Sequence, residues 1–304
     1  MPPPADSSSH PIDAPVALVG AGALATVLGR RLHQCGIPIA AVLSRRDAPA
    51  RALARRVEAP VGSSDGNALP ASARSVFLCV PDDAIDAVAR MLASVSHAWS
   101  QTVVAHTSGA LSAAVLAPVA HHGAQTMSFH PVQTLTPETP PGALDGVVVG
   151  VEGDTEAVAY GTRLAERIGA TPIRLSADEK VRYHAAAVLA SNGLVALAGV
   201  ARDVLATAGI APDVAQRLLR PLFAQTADNV GQADPAHVLT GPVVRGDCGT
   251  VSEHRKALEA NIPRVRPLYD RLSEEMVRLA EQNGRLPPEA AAALRRLWCS
   301  KPDT

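Results

Sequence analysis

Several short stretches carry groups suited to chemistry. The first is Gly20-Ala21-Gly22-Ala23-Leu24-Ala25, a GxGxxA turn directly after the apolar run Val16-Ala17-Leu18-Val19. Its first glycine permits a tight turn and its second lets backbone N–H groups approach a pyrophosphate. Ala25 lets the following helix pack closely on the strand, and the helix N-terminus favours an anion. About 20 residues on, the next strand should end where a side chain meets the ribose 2′ position of a bound dinucleotide. Here the chain reads Leu43-Ser44-Arg45-Arg46. A carboxylate would accept from a 2′-hydroxyl, whereas a hydroxyl followed by two guanidinium groups suits a 2′-phosphate. NADP(H) is therefore expected ahead of NAD(H). Asp47 lies beyond the expected position, and the arginines from Arg51 onward read as a solvated helical face.

Two further strand ends should open on the same crevice, because ligands of open parallel sheets bind outside the carboxyl ends of the strands. Val80-Pro81-Asp82-Asp83 is one, a cofactor contact or simply a helix cap. His106-Thr107-Ser108-Gly109 is the other, and it brings an imidazole, two hydroxyls and free N–H groups toward a substrate. Farther along, Lys180, His184 and Ser191 lie within about 40° of one another on a helix, with Asn192 at the border. An ammonium, an imidazole and a hydroxyl on one stripe of an Ala/Val/Leu helix are costly to bury without a ligand, so these four are the catalytic candidates. Lys180 could also be a surface lysine of a charged first turn. In the glycine-broken loop Leu239–Asp247, Arg245 could clamp a substrate carboxylate or pair with Asp247. His106, His130 and His184 lack metal-ligand spacing, and no metal is expected.

Elements that could position these groups follow from the hydrophobic pattern. Between Val16 and Leu175 short apolar runs alternate with amphipathic segments, the pattern of a parallel sheet covered by helices. Strands are expected at Val16–Val19, Ile39–Leu43, Ser75–Val80, Thr102–His106, Gln125–Phe129, Val147–Val151 and Thr171–Leu175. Helices are expected at Leu24–Cys35 and Asp154–Ile168, the latter capped by Asp154. After Ser176 the strand signals stop. Helical patterns follow at Ala177–Leu205, Pro212–Val230, Val251–Glu259, Pro263–Asn283 and Pro288–Leu297. The expected fold is an α/β Rossmann-like domain over residues 14–175 followed by an all-α domain over 176–298, flanked by tails at 1–13 and 299–304, the first of them disordered.

Composition narrows the function classes. A formal charge of −1 and 3% aromatic residues offer neither attraction for nucleic acid nor stacking platforms for single strands. The four cysteines are far apart, form no CxxC pair, and suit a reducing cytoplasm. The first residues lack a basic stretch followed by an apolar one, and no apolar run approaches the ~18 residues of a membrane span. A soluble cytoplasmic protein with a small-molecule substrate is expected.

Val80-Pro81-Asp82-Asp83, His106-Thr107-Ser108-Gly109, Phe129-His130-Pro131, Lys180-x-x-x-His184 and Gly241-Pro242-x-x-Arg245-Gly246-Asp247 together resemble a family described as Rossmann-like with a DUF2520 helical domain. More distantly the chain is similar to the 6-phosphogluconate, 3-hydroxyisobutyrate and pyrroline-5-carboxylate reductase superfamily. In that superfamily a helical domain completes the site and often the dimer, and a lysine is followed four residues later by an asparagine; His184 stands in the asparagine's place. Some family members are proposed as alternative ketopantoate reductases, so the resemblance implies a 2-oxo or 3-hydroxy acid substrate and a homodimer. The expected activity is NADPH-dependent reduction, with Lys180 or His184 as proton donor and Arg245 on the acid group. A dinucleotide-binding sensor without turnover would use the same glycine turn, and reduction of an imine or a deazaflavin is a third possibility.

Overall fold

In the computed structural model, which describes residues 10–299, the short apolar runs form one sheet. Its strands are β1 (Val16–Val19), β2 (Ile39–Leu43), β3 (Val61–Ser63), β4 (Ser75–Leu78), β5 (Val103–His106), β6 (Gln125–Pro131), β7 (Val148–Gly153) and β8 (Thr171–Arg174). They lie in the order β3-β2-β1-β4-β5-β6-β7-β8. Every pairing is parallel except β6 with β7. That exception has a local cause: between them the chain forms only a short 3-10 turn at Pro141–Leu144 instead of the crossover helix that a parallel return needs. The three-residue β3, Val-Gly-Ser, has too little apolar pattern to be seen in the sequence. The other strand ends shift by up to two residues from expectation, the ordinary uncertainty of element ends.

The helices are α1 (Ala23–Gln34), α2 (Asp47–Arg56), α3 (Ile85–Ala93), α4 (Ala117–Ala120), α5 (Thr155–Arg167), α6 (Ala177–Val188), α7 (Leu194–Thr207), α8 (Pro212–Gln232), α9 (Pro235–Val238), α10 (Cys248–Asn261), α11 (Arg266–Gln282) and α12 (Pro288–Cys299). Alternation along β1 shows how the sheet is buried on both faces. Val16 and Leu18 join the cluster with Leu28 of α1 and Leu164 of α5. Ala17 and Val19 join that of Ile85 and Leu92 from α3. Asp154 precedes α5 as expected but does not cap it; its Oδ2 accepts instead from the Thr126 backbone N–H at 2.6 Å and the Thr126 hydroxyl at 3.0 Å.

The chain divides into two compact units between Ser191 and Asn192, one helix later than the boundary expected near Leu175–Ser176. The physical reason is that α6, opened by a capping box of Ser176 and Glu179, anchors its Lys180 and Tyr183 side chains on the sheet strands. The second unit has its own core of Val243, Val251, Val277 and Leu294. At Leu189–Gly193 the helix makes a π turn, which inserts an extra residue per turn and shifts the α-helical stripe predicted for Ser191 and Asn192.

Ala177–Thr207 is also long and apolar enough to cross a membrane by length and composition, its most apolar window having a mean hydropathy of 1.6. Ser191, Asn192 and Gly193 interrupt the apolar run, so the consecutive stretch is absent as expected and the helix qualifies on average composition alone. The last residues of the expected N-terminal tail, from His10, are among the described residues. Residues 1–9 and 300–304 lie outside the described residues, but His10 accepts a bond from Arg163 on its carbonyl and sits 2.6 Å from the Arg74 carbonyl through its ring.

Candidate functional site

The glycine turn is built from backbone. Gly20 has φ +118° and lies against the Cys79 carbonyl, where any side chain would overlap the backbone; its N–H donates to the Leu43 carbonyl at 2.7 Å. Gly22 is the N-cap of α1, with open space where a Cβ would stand. Gly20, Ala21 and Gly22 line a groove of roughly 460 Å³ together with Ser44, Arg45 and Arg46. Val80 and Pro81 line it too, while Ala23 begins α1 and Leu24 packs on the core. The open glycine edge, the helix N-terminus and two exposed guanidinium groups fit a dinucleotide phosphate chain. Asp47, the nearest acid, is occupied: its Oδ1 accepts from the Ser64 N–H at 2.6 Å and its Oδ2 from Arg51 at 3.2 Å. Ser64 also lines the groove and was not among the residues expected there.

A second constellation lies where the carboxyl end of β5 meets the middle of β6 and the carboxyl end of β7, still within the first unit. Register aligns Leu78, His106 and Ser128 across β4, β5 and β6, and pairs Ser128 with Glu152 across the antiparallel edge. Lys180 comes down from α6 and is 1% exposed. Its Nζ donates to the Ser108 carbonyl at 2.6 Å and to the Ser128 hydroxyl, and the Ser128 hydroxyl donates onward to the same carbonyl at 3.2 Å. A surface role for Lys180 is excluded by this burial. Burial pushes its ammonium down to about 8, with Glu152 and then Asp82 opposing.

The neighbouring turn is held internally. His106 is fully buried; its Nδ1 accepts from the Ser108 N–H and its Nε2 lies 3.1 Å from the Ser112 carbonyl. That pattern assigns the Nε2–H tautomer and leaves no ring nitrogen for a substrate. Thr107 donates to the Leu78 carbonyl. Ser108 donates to Asp82 at 2.7 Å and accepts from the N–H groups of Ala110 and Leu111. The side chains of His106, Thr107 and Ser108, expected as substrate contacts, thus shape the turn, and the Ser108 carbonyl orients Lys180. Asp82, expected near the cofactor, spends a carboxylate oxygen on Ser108.

Gly109 earns its place by close approach. A methyl there would collide with His184 Nδ1 and come within 2.8 Å of His130 Cε1. The two imidazoles meet edge to face at 5.8 Å. His130 Nδ1 lies 3.1 Å from the Tyr183 hydroxyl, and burial, then the Lys180 ammonium, lower its ring to about 4, as they do for His106. His184 Nδ1 is buried without a partner among the described residues, so it has hydrogen-bonding capacity left over.

Of the expected site residues, Lys180, His184, His130 and Gly109 come together, and Ser191 reaches only Thr134, hydroxyl to hydroxyl at 3.0 Å. Asn192 and Arg245 belong to the second unit, where both are exposed. The Arg245–Asp247 alternative is not realised as a direct pair, because Asp247 caps α10 through Thr250. Sequence reading missed Ser128, Glu152 and Tyr183. A signal existed for the first: Thr126, Ser128 and His130 alternate along a strand whose other face is apolar.

Among known proteins, a family model described as a Rossmann-like domain matches residues 1–131, and one described as DUF2520, a domain of unknown function, matches residues 147–276. Protein TM1727 of Thermotoga maritima is similar at 30% identity, over 88% of this chain and 99% of its own, with a TM-score of 0.70. A Bacteroides fragilis protein, BF3122, described as an NADP oxidoreductase, is similar at 25% identity over 88% and 99% of the two chains, with a TM-score of 0.71. A reductive aminase of Aspergillus terreus solved with NADPH and ethyl levulinate shares the fold at 18% identity over 93% and 99%, with a TM-score of 0.62. No curated protein matches the chain. With both family models met in chain order, and a 30%-identical relative matched over nearly its whole length, this chain belongs to the Rossmann-like/DUF2520 family.

Proposed function

We propose that this chain is an NADPH-dependent reductase or dehydrogenase of a small carboxylate-bearing oxo or hydroxy acid, a ketopantoate-like acid being one such substrate. The observation that carries the reading is the buried ammonium of Lys180, bonded to the turn after β5 at the same carboxyl end of the parallel strands as the glycine turn after β1. A bound nicotinamide would supply or accept the hydride. Lys180 Nζ spends two of its N–H groups on Ser108 and Ser128, which leaves the third for a substrate oxygen. An ammonium lowered to about 8 gives up its proton near neutral pH more readily than an ordinary lysine. His184 Nδ1 is a second group that can bond the same oxygen. Arg245 is the proposed partner of the acid group. The likeness to an NADP oxidoreductase supports the general class.

Calorimetry with NADPH and NADH, followed by hydride transfer to a panel of 2-oxo acids that includes ketopantoate, tests the proposal. NADPH binding with turnover of one acid supports it. Binding without turnover across the panel favours a dinucleotide sensor, and equal affinity for both cofactors overturns the NADP assignment. The working form is a homodimer: Leu189 and Val195 are 74% and 72% exposed in the single chain, and apolar faces of this kind are usually covered by a second copy. A monomeric mass by light scattering at micromolar concentration overturns that part.

A further inference from the structure

The chain has 25 arginines but only three lysines, Lys180, Lys256 and Lys301, and one of those three is buried almost completely. Arginine stays charged in any protein environment, whereas a lysine can be brought near neutrality by burial, so the residue type at position 180 has consequences. Among the described residues two full charges are buried, Lys180 at 1% exposure and Glu152 at 8%. Both flank Ser128. Lys180 Nζ donates to the Ser128 hydroxyl, and Glu152 is the residue directly opposite Ser128 across β6 and β7, a relation that puts Cβ atoms about 4.5–5.5 Å apart on one face. No ion pair joins the two charges; Ser128 is the residue they share, bonded to Lys180 through its hydroxyl and opposite Glu152 in strand register. Glu152 has one evident local bond, its Oε2 accepting from the Ala113 N–H at 2.8 Å.

A buried carboxylate and a buried ammonium are each costly alone, and far less so when each offsets the other. Of the other groups facing Lys180, Asp82 adds negative charge, but from an exposed position. His106 on β5 and His130 on β6 are neutral near physiological pH. Tyr183 and His184, on α6 itself, add no negative charge, the Tyr183 hydroxyl being pushed up to about 12 by burial. Asp82, from the turn after β4, is exposed and bonded to Ser108. We propose that Glu152 is a positioning residue for the proton donor, the buried counter-charge that keeps Lys180 protonated at neutral pH from the strand position opposite Ser128. The proposal rests on the reading of Lys180 as proton donor, but its test does not require a substrate.

With three lysines, the full-length protein labelled with ¹³C-lysine yields three side-chain signals, and the one absent from Lys180→Met is that of Lys180. Its titration followed by NMR should have a midpoint near 8 in the wild type. Glu152→Gln keeps an acceptor for Ala113 and removes the charge. It should move the midpoint down by at least about one pH unit, the scale of a lost nearby opposite charge, while Glu152→Asp should leave it within about half a unit. A midpoint that does not move in Glu152→Gln overturns the proposal. Where Glu152→Gln does not fold, the double variant Lys180→Met/Glu152→Gln decides. Recovery of a cooperative melt in the double variant shows that the two charges compensate each other, and a double variant as unfolded as the single one overturns the proposal. Once a substrate is identified, the alkaline limb of the kcat profile should move down with the lysine midpoint. A chain that turns over no oxo acid but shows the lysine shift refutes the proposed function and leaves the Glu152–Lys180 relation standing.

Discussion

The glycine turn and the Lys180 cluster lie at the carboxyl end of the same run of parallel strands yet are made in opposite ways. The turn is contiguous: six residues, a φ that only glycine adopts comfortably, and backbone N–H groups at the start of α1. The cluster is assembled from β5, β6, β7 and α6, with Lys180 bonding residues 72 and 52 positions away. A contiguous site is specified by local conformation, so its function is expected to survive changes elsewhere in the sheet. A site assembled over long range depends on register, because a one-residue slip would turn Ser128 and Glu152 to the opposite face.

The sharpest way to separate the two is Lys180→Ala. It should lower kcat by roughly 10² to 10⁴, the usual contribution of a positioned general acid, while calorimetry shows NADPH affinity nearly unchanged; full turnover on an identified substrate would remove Lys180 from the mechanism. The converse experiment is Arg45→Glu/Arg46→Glu. Losing charge-assisted bonds of about 1.5–3 kcal/mol each should weaken NADPH by about 10² or more, with little effect on NADH and none on the Lys180 titration. An equal loss for both cofactors would mean that these arginines do not read the 2′ position.

Gly109→Ala should disturb the cluster alone, since the added methyl must displace the His184 and His130 rings. A destabilisation of about 1–3 kcal/mol, the range for overpacking, is expected in thermal melts, with kcat reduced and NADPH binding retained. A variant as stable and active as wild type would show that the rings move freely.

The last effect, on pH, touches the cluster without any substitution. His106 and His130 titrate near 4 when folded and near 6.5 when exposed, so between those values the unfolded chain binds more protons than the folded one. Stability should therefore be fully present above about pH 6.5, decline as pH falls toward 4, and stop declining from this source below it. Melting temperatures from pH 7 to 4 check this, and His106→Asn should flatten the slope. A wild-type melting temperature constant across the window would contradict the burial of both rings as neutral groups.

Much of the first site was legible because strand, turn and helix follow one another within 20 residues, and the tight-turn glycine announces itself. For the second, Lys180 and His184 were visible through helical spacing, whereas Ser191 was carried along by assuming an uninterrupted α-helix that the π turn at Leu189–Gly193 breaks. Glu152 looked like the end of an apolar strand, and nothing near it in the chain hinted at a lysine 28 residues away.

By itself, then, the order of apolar runs and glycines determined a Rossmann-like sheet, its dinucleotide turn, the arginines beside it and an all-helical second half. These depend on conformational preferences spanning a few residues. Only the tertiary structure decided that β7 runs antiparallel, that the histidine turn is bonded within itself, and that α6 belongs with the sheet. It also decided that Lys180 is buried over Ser128 and Glu152. Each of these follows from which strands become neighbours, and that is set by the packing of the whole sheet, where a buried charge must find its partner in space and not along the chain.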